Sequence, residues 1–223
     1  MAKDAAIVLN NGSINSAVAT ALASQKYRVV MLHAEVVAQP GSRIRGAYDQ
    51  QVAHFKPFRE HTLPMPFLSL IQPAGVPPGQ PPPTAIDPRH PTALISQLID
   101  LLPLISAAAR FAVHYQASAI YCGLRVGTQG DDLAQATEYT QVWNELFQMP
   151  CAQPDLEMHM PLLELDPWQV VDLGYQVNAP FDRTWSCVEE TADPCWACRP
   201  CRTREAAFQQ AGRPDPLRAV KKT

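Results

Sequence analysis

The spacing Cys187-x7-Cys195-x2-Cys198-x2-Cys201 constrains this chain more than any other feature. Four of its six cysteines fall within 15 residues. Zinc takes four soft ligands in a tetrahedron, and two-residue spacers let a tight turn aim successive thiolates at one ion. Three ligands come from one short stretch, and Cys187 arrives from a loop upstream. Pro194 and Pro200 stiffen the turns, and Trp185 and Trp196 flank the cluster. A closed four-thiolate site leaves zinc no open position, so its role is structural. An iron–sulfur cluster is the competing occupant. Cys122 sits in a strand pattern and reads as a core residue.

The rest of the chain must carry this site on a core. At 223 residues, 47% hydrophobic and 17% charged, it has room for one α/β domain plus a small appendage. A net charge of −3 gives no support for bulk electrostatic binding to nucleic acid or an anionic membrane, and leaves a local basic patch open. Met1 to Asp4 lacks the pattern of a secretory leader. The apolar segment 94–113 is broken by Asp100, Pro103 and Arg110, which predicts a buried helix pair or kinked helix rather than a membrane span. A cytoplasmic location follows as the expectation, and there clustered thiols bind metal more often than they form disulfides.

Elements alternate from the start. Residues 5–9 are a short apolar run, 10–13 a polar turn, 14–24 an Ala-rich helical stretch, and 28–33 a second strand. Strand, turn, helix, strand is the pattern of a parallel α/β sheet. A helix over 47–58 ends at Pro57. Residues 72–91 hold eight prolines and read as a long surface loop or insertion. Then come a strand over 119–123, a helix over 138–148, a short strand over 156–160, and a helix over 166–174 with Asp as cap and Pro at its first position. A last helix spans 205–211, and residues 221–223 form a frayed tail. Domain boundaries are expected at 1–180 for the α/β domain and 181–212 for the zinc lobe, with 213–223 as tail.

These residues carry a resemblance. Thr184-Trp185-Ser186-Cys187, the cysteine triplet, Arg204, Ala207-Phe208 and Ala211-Gly212 resemble the C-terminal zinc segment of 7-cyano-7-deazaguanine synthases. Pro161-Leu162-Leu163, Leu173-Gly174 and Pro180 match the same family upstream, and the N-terminal strand and turn lie where it carries its pyrophosphatase loop. The resemblance implies a Rossmann-like parallel sheet of the adenine nucleotide alpha-hydrolase kind with helices on both faces. It implies an ATP-dependent ligase using Mg2+, which adenylates a carboxylate like that of 7-carboxy-7-deazaguanine. Ammonia then attacks, and a nitrile forms. A homodimer is left open as the assembly.

The implied phosphate-binding set is Asn11, Gly12, Ser13, Asn15, Ser16 and Arg89. The family's S-G-G-x-D-S loop is here Asn11-Gly12-Ser13-Ile14-Asn15-Ser16, so only Gly12 and Ser16 match. Ser13 would be strained if its position needs positive φ. Asn15 lacks the charge that would help hold magnesium. The family's lysine after the Pro-Leu strand aligns with Pro167, and its Asp-Cys-Arg stretch aligns near Ala134-Gln135-Ala136. The alternative expectation is therefore a catalytically degenerate relative that binds a nucleotide, a deazapurine or a protein. His33 with Glu35 reads as a satisfied strand-end histidine rather than an acid–base pair, and Asp131-Asp132 as an exposed acidic turn rather than a magnesium site. No serine-hydrolase elbow or dinucleotide glycine pattern is present.

Overall fold

The computed structural model describes residues 4–35, 42–67, 92–127, 131–149 and 155–219. Five strands, β1 (Ala5–Leu9), β2 (Arg28–Glu35), β3 (Arg59–Pro64), β4 (Ala117–Cys122) and β5 (Glu157–His159), form one sheet in the order β3-β2-β1-β4-β5. Every neighbouring pair is parallel. Parallel strands are covered on both faces, so they read as continuous apolar runs. Side chains alternate between two cores. Ala5, Ile7, Val30, Leu32, Ala117 and Cys122 point to one, and Ala6, Val8, Val29, Met31, Ala119 and Tyr121 to the other.

The first core is closed by α3 (Thr92–Tyr115) and α4 (Asp131–Gln148), through Ile105, Ala108, Ala112, Ala136, Trp143 and Phe147. The second is closed by α1 (Ile14–Lys26) and α2 (Arg43–Phe55), through Ala23 and Tyr48. Several boundaries differ from expectation, and α4 begins seven residues before the expected 138. α2 begins four residues early and stops before Pro57, with Lys56 in the left-handed region at φ 47°. α3 runs through Pro103 as one element rather than a pair, because its apolar side packs on β1 and β4. It is long and apolar enough to cross a membrane by length and composition alone. Its other side leaves Ile99 and Leu102 exposed.

A third core joins α1 to α5 (Pro167–Gln176) and α6 (Arg199–Gln210) through Val18, Val170, Val171, Phe181, Ala207 and Phe208. Each fully buried Phe or Val here contributes about 1.5–3 kcal/mol. α6 starts six residues before the sequence expectation, with Cys198 as its N-cap and Pro200 in its first turn. The segment after it is ordered through a short α7 (Pro216–Ala219). Asp215, there, takes a buried bidentate ion pair from Arg204, which also donates to Thr184 Oγ1 and the Phe181 carbonyl. The tail 221–223, the proline-rich 72–91 up to Pro91, and Cys151 lie outside the described residues.

Candidate functional site

The strand order reverses around β1. The chain leaves β1 toward β2 and β3, then returns to place β4 on its other side. Ligands of parallel sheets bind in the crevice at such a switch point, beyond the carboxyl ends of the strands. The residues following β1 are the loop Asn10 to Ser13 and the start of α1. A cavity of 330 Å³ lies there, walled by Leu9, Leu32, Ala34, Leu101, Cys122 and Leu124, with Asp100 at its edge. A second cavity of 490 Å³ runs from the loop toward the cysteine lobe, between Pro167 and Val171 of α5, Trp185 and Cys187, and Arg199 and Thr203 of α6. Asn11, Ser13 and Asn15 line both.

The loop's backbone is set by Gly12, at φ +78°. A Cβ there would stand 2.7 Å from the Ile44 carbonyl and 3.1 Å from the Tyr48 amide. Only glycine combines that φ with that approach. Ser13 is at φ −79° and is the N-cap of α1, accepting from the Ser16 N–H at 3.3 Å. The serine in place of a family glycine is therefore unstrained, contrary to the concern raised by the sequence. Asn10 is buried. It donates to Thr20 Oγ1 and Gln51 Oε1, both at 2.9 Å, and its own Oδ1 accepts from the Gly12 N–H at 2.8 Å. Asn11 Oδ1 accepts from Ser16 Oγ at 2.6 Å and from the Ser13 N–H at 3.2 Å. Ser16 Oγ accepts from the Asn11 N–H at 3.2 Å. Four loop amides thus already have side-chain acceptors. Asn15 Nδ2 donates to the Gly123 carbonyl at 3.1 Å, which holds the start of α1 against the end of β4.

The structure brings Asn11, Gly12, Ser13, Asn15 and Ser16 together, while Arg89 lies outside the described residues. His33 is buried, donates from Nδ1 to the Asn10 carbonyl at 2.9 Å and stacks on Tyr48 at 4.6 Å. Burial lowers its pKa. It supports the loop from below, and Glu35 turns instead to Arg45 at 3.9 Å. Asp131 begins α4, with its side chain outside the described set, and Asp132 follows it half-buried, so the pair starts a helix rather than forming an exposed turn. Ala134 and Gln135 are exposed and Ala136 is in the core, so this stretch lines neither cavity. Sequence reasoning missed Asn10, Gln51 and Arg125. Arg125 follows the turn after β4 at the switch point, a position the topology rule singles out.

The four cysteine sulfurs lie within 4.8 Å of one another. Cys187 and Cys201 are buried, Cys198 is partly covered and Cys195 is exposed. The Glu189 and Cys195 amides point at Cys187 Sγ at 3.4 and 3.3 Å, and the Cys198 amide at Cys195 Sγ at 3.3 Å. Trp196, at φ 55°, makes the tight turn that allows this. Such N–H donation favours thiolate. It draws the Cys195 pKa down to about 6, whereas burial raises those of Cys187 and Cys201. The donor set is that of a soft metal ion. Trp185 packs on Ala47, Cys187 and Cys201, while Trp196 lies under the Arg218 guanidinium at 4.2 Å.

The chain is similar to several known proteins. The 7-cyano-7-deazaguanine synthase of Chloroherpeton thalassium is 26% identical over 218 residues, 95% of each chain. That of Chlorobium chlorochromatii is 24% identical over 228 residues, 95% of this chain and 94% of the relative. Among solved structures, NAD+ synthetase from Burkholderia pseudomallei aligns with 98% of this chain and 78% of its own, at 12% identity and TM-score 0.47. The U34-tRNA thiolase NcsA from Methanococcus maripaludis with its [4Fe-4S] cluster aligns with 99% of this chain and 67% of its own, at 12% identity and TM-score 0.44. The family model described as "Queuosine biosynthesis protein QueC" matches residues 5–212, and the chain belongs to that family.

Proposed function

We propose that the chain is an ATP-dependent ligase of the 7-cyano-7-deazaguanine synthase type, acting on a carboxylate like that of 7-carboxy-7-deazaguanine or a variant of it. The supporting observation is that one loop, Asn11 to Ser16, lines two cavities. The smaller, apolar-walled one suits an adenosine. The larger one would hold the carboxylate, so that the loop stands where the α-phosphate and carboxylate must meet. The start of α1 and Ser16 would receive phosphate oxygens, as helix N-termini do. Asp100 is the carboxylate available to Mg2+ among the described residues lining these cavities. Calorimetry with ATP and Mg2+ is the first test. Absence of binding at millimolar ATP would sink the ligase reading.

We further propose zinc in the cysteine lobe. Zn–S bonds of about 2.3 Å place tetrahedral sulfurs about 3.8 Å apart, and Cys187 and Cys198 Sγ are 4.0 Å apart. A cubane spreads its four thiolates over four irons and needs a wider set. One zinc per chain by metal analysis is the expected result, and iron with sulfide would refute it.

A second reading is favoured by the occupied loop amides. Asn10, Asn11, Ser13 and Ser16 side chains sit on the N–H groups an anion would use. A degenerate relative that binds nucleotide, deazapurine or protein would keep this arrangement. Release of AMP and pyrophosphate with a carboxylate-bearing deazaguanine rules it out. Gain of ATP binding only on Asn11→Ser, which removes the Oδ1 competitor, supports it.

A further inference from the structure

The larger cavity contains no carboxylate among its lining residues and three arginines. Arg204 is already paired with Asp215, and Arg199 is exposed at the start of α6. Arg125 is different. It is half-buried, and its one hydrogen bond among the described residues is a long one, 3.4 Å from Nη1 to the Leu165 carbonyl. No carboxylate among them comes within ion-pair distance of it, and burial lowers its pKa because the charge is poorly solvated. Asp166 attracts it only from beyond ion-pair distance, and a half-buried guanidinium with one long hydrogen bond still favours an incoming oxyanion. Trp185 adds a second sign. It lines the same cavity, is 9% exposed, and its indole N–H has no acceptor among the described residues. Pro167, where relatives are expected to carry a phosphate-binding lysine, lines this cavity too.

We propose that Arg125 is the oxyanion-binding residue of this cavity, taking a phosphate of the nucleotide in place of the cation that Pro167 removes. The inference rests on the nucleotide-binding part of the reading above. A guanidinium delivered from the segment after β4 reaches the same cavity as a lysine at the start of α5, and its planar fork suits phosphate.

The test is calorimetry on the full chain with ATP–Mg2+, adenosine, inorganic pyrophosphate and 7-carboxy-7-deazaguanine, for wild type, Arg125→Gln, Arg125→Lys and, as a control outside both cavities, Arg110→Gln. Unfolding temperatures serve as the folding control. Arg125→Gln should weaken ATP and pyrophosphate about tenfold or more and leave adenosine within about twofold, since a charge-assisted contact is lost and a stacking surface is not. Arg125→Lys should recover part of the loss, and Arg110→Gln should change ATP less than threefold. Equal weakening of ATP and adenosine would mean a structural role and overturn the proposal. Loss confined to the deazaguanine carboxylate would overturn phosphate as the ligand. Wild-type affinity in Arg125→Gln, or no anion binding by wild type at all, would overturn it outright. Pyrophosphate binding that depends on Arg125 without any AMP release would sustain this proposal while the ligase reading fails.

Discussion

Replacing Gly12 by alanine separates two neighbouring loop positions whose roles the sequence alone confuses. The new Cβ at φ +78° costs about 1–2 kcal/mol for left-handed backbone. It also meets the Ile44 carbonyl at 2.7 Å, Ala47 Cβ at 3.1 Å and the Tyr48 amide at 3.1 Å. These atoms belong to α2 and its core contact, so they yield only if the helix shifts. Overpacking of this kind adds about 1–3 kcal/mol. The total is about 3–4 kcal/mol, and a chain of this size loses about 2–4 °C per kcal/mol. Thermal unfolding by circular dichroism should therefore show a midpoint lowered by roughly 10 °C. Ser13→Gly is the paired control. It removes only an N-cap side chain on normal backbone, which costs a few tenths of a kcal/mol, so its midpoint should move by about 1–2 °C. Gly12→Ala unfolding within 2 °C of wild type, or Ser13→Gly proving the worse of the two, would refute the reasoning.

Cys198→Ser should drop the metal content of the purified chain from one to near zero, with hydrogen exchange rising across 184–204, because ligand loss removes folding free energy locally. Arg204→Met should cost about 3–5 kcal/mol by urea denaturation, since it leaves Asp215 buried and uncompensated; Arg204→Met with Asp215→Leu should recover most of it. Stability should decline as pH falls below about 6.5, the unfolded histidine value. His33, His54, His61 and His159 all have lowered pKa values in the fold, so the unfolded chain binds more protons there and acid favours it. His33→Gln should flatten the urea midpoint between pH 7.5 and 5, and an unchanged slope would count against the burial of His33.

The parallel sheet was legible because apolar runs such as Ala5 to Leu9 and Arg28 to His33 are covered on both faces and need no partner to be recognised. The cysteine set was legible because metal geometry demands short spacers. What escaped the sequence depends on contacts between distant residues. The strain attributed to position 13 belongs to position 12, because φ is fixed by where α2 approaches. Pro103 argued for a break in α3, but packing of Ile105 to Ala112 on β1 and β4 outweighs its local cost. The early start of α6 was hidden because its first turn also carries metal ligands. Nothing in the local pattern singled out Arg125, and only the sheet order places its segment beside Asn15 and Pro167.

The cysteine segment is tied to the loop after β1 and to α2 by hydrogen bonds and packing. The Trp185 amide donates to the Gly12 carbonyl at 3.0 Å, and Trp185 shares a core with Ala47, Cys187 and Cys201. Glu190, two residues beyond Val188, accepts from the Arg43 N–H at 2.6 Å and so caps the first turn of α2, where a carboxylate opposes the helix dipole. The Arg43 side chain returns a bond to the Thr191 carbonyl at 2.7 Å and lies over the Trp185 ring at 5.3 Å. The same α2 supplies the backbone atoms that press on Gly12. The cysteine segment thus holds the loop from two directions, through the Gly12 carbonyl and through α2. Zinc bound at the four cysteines, as proposed above, would shape the cleft through these contacts while taking no part in its chemistry.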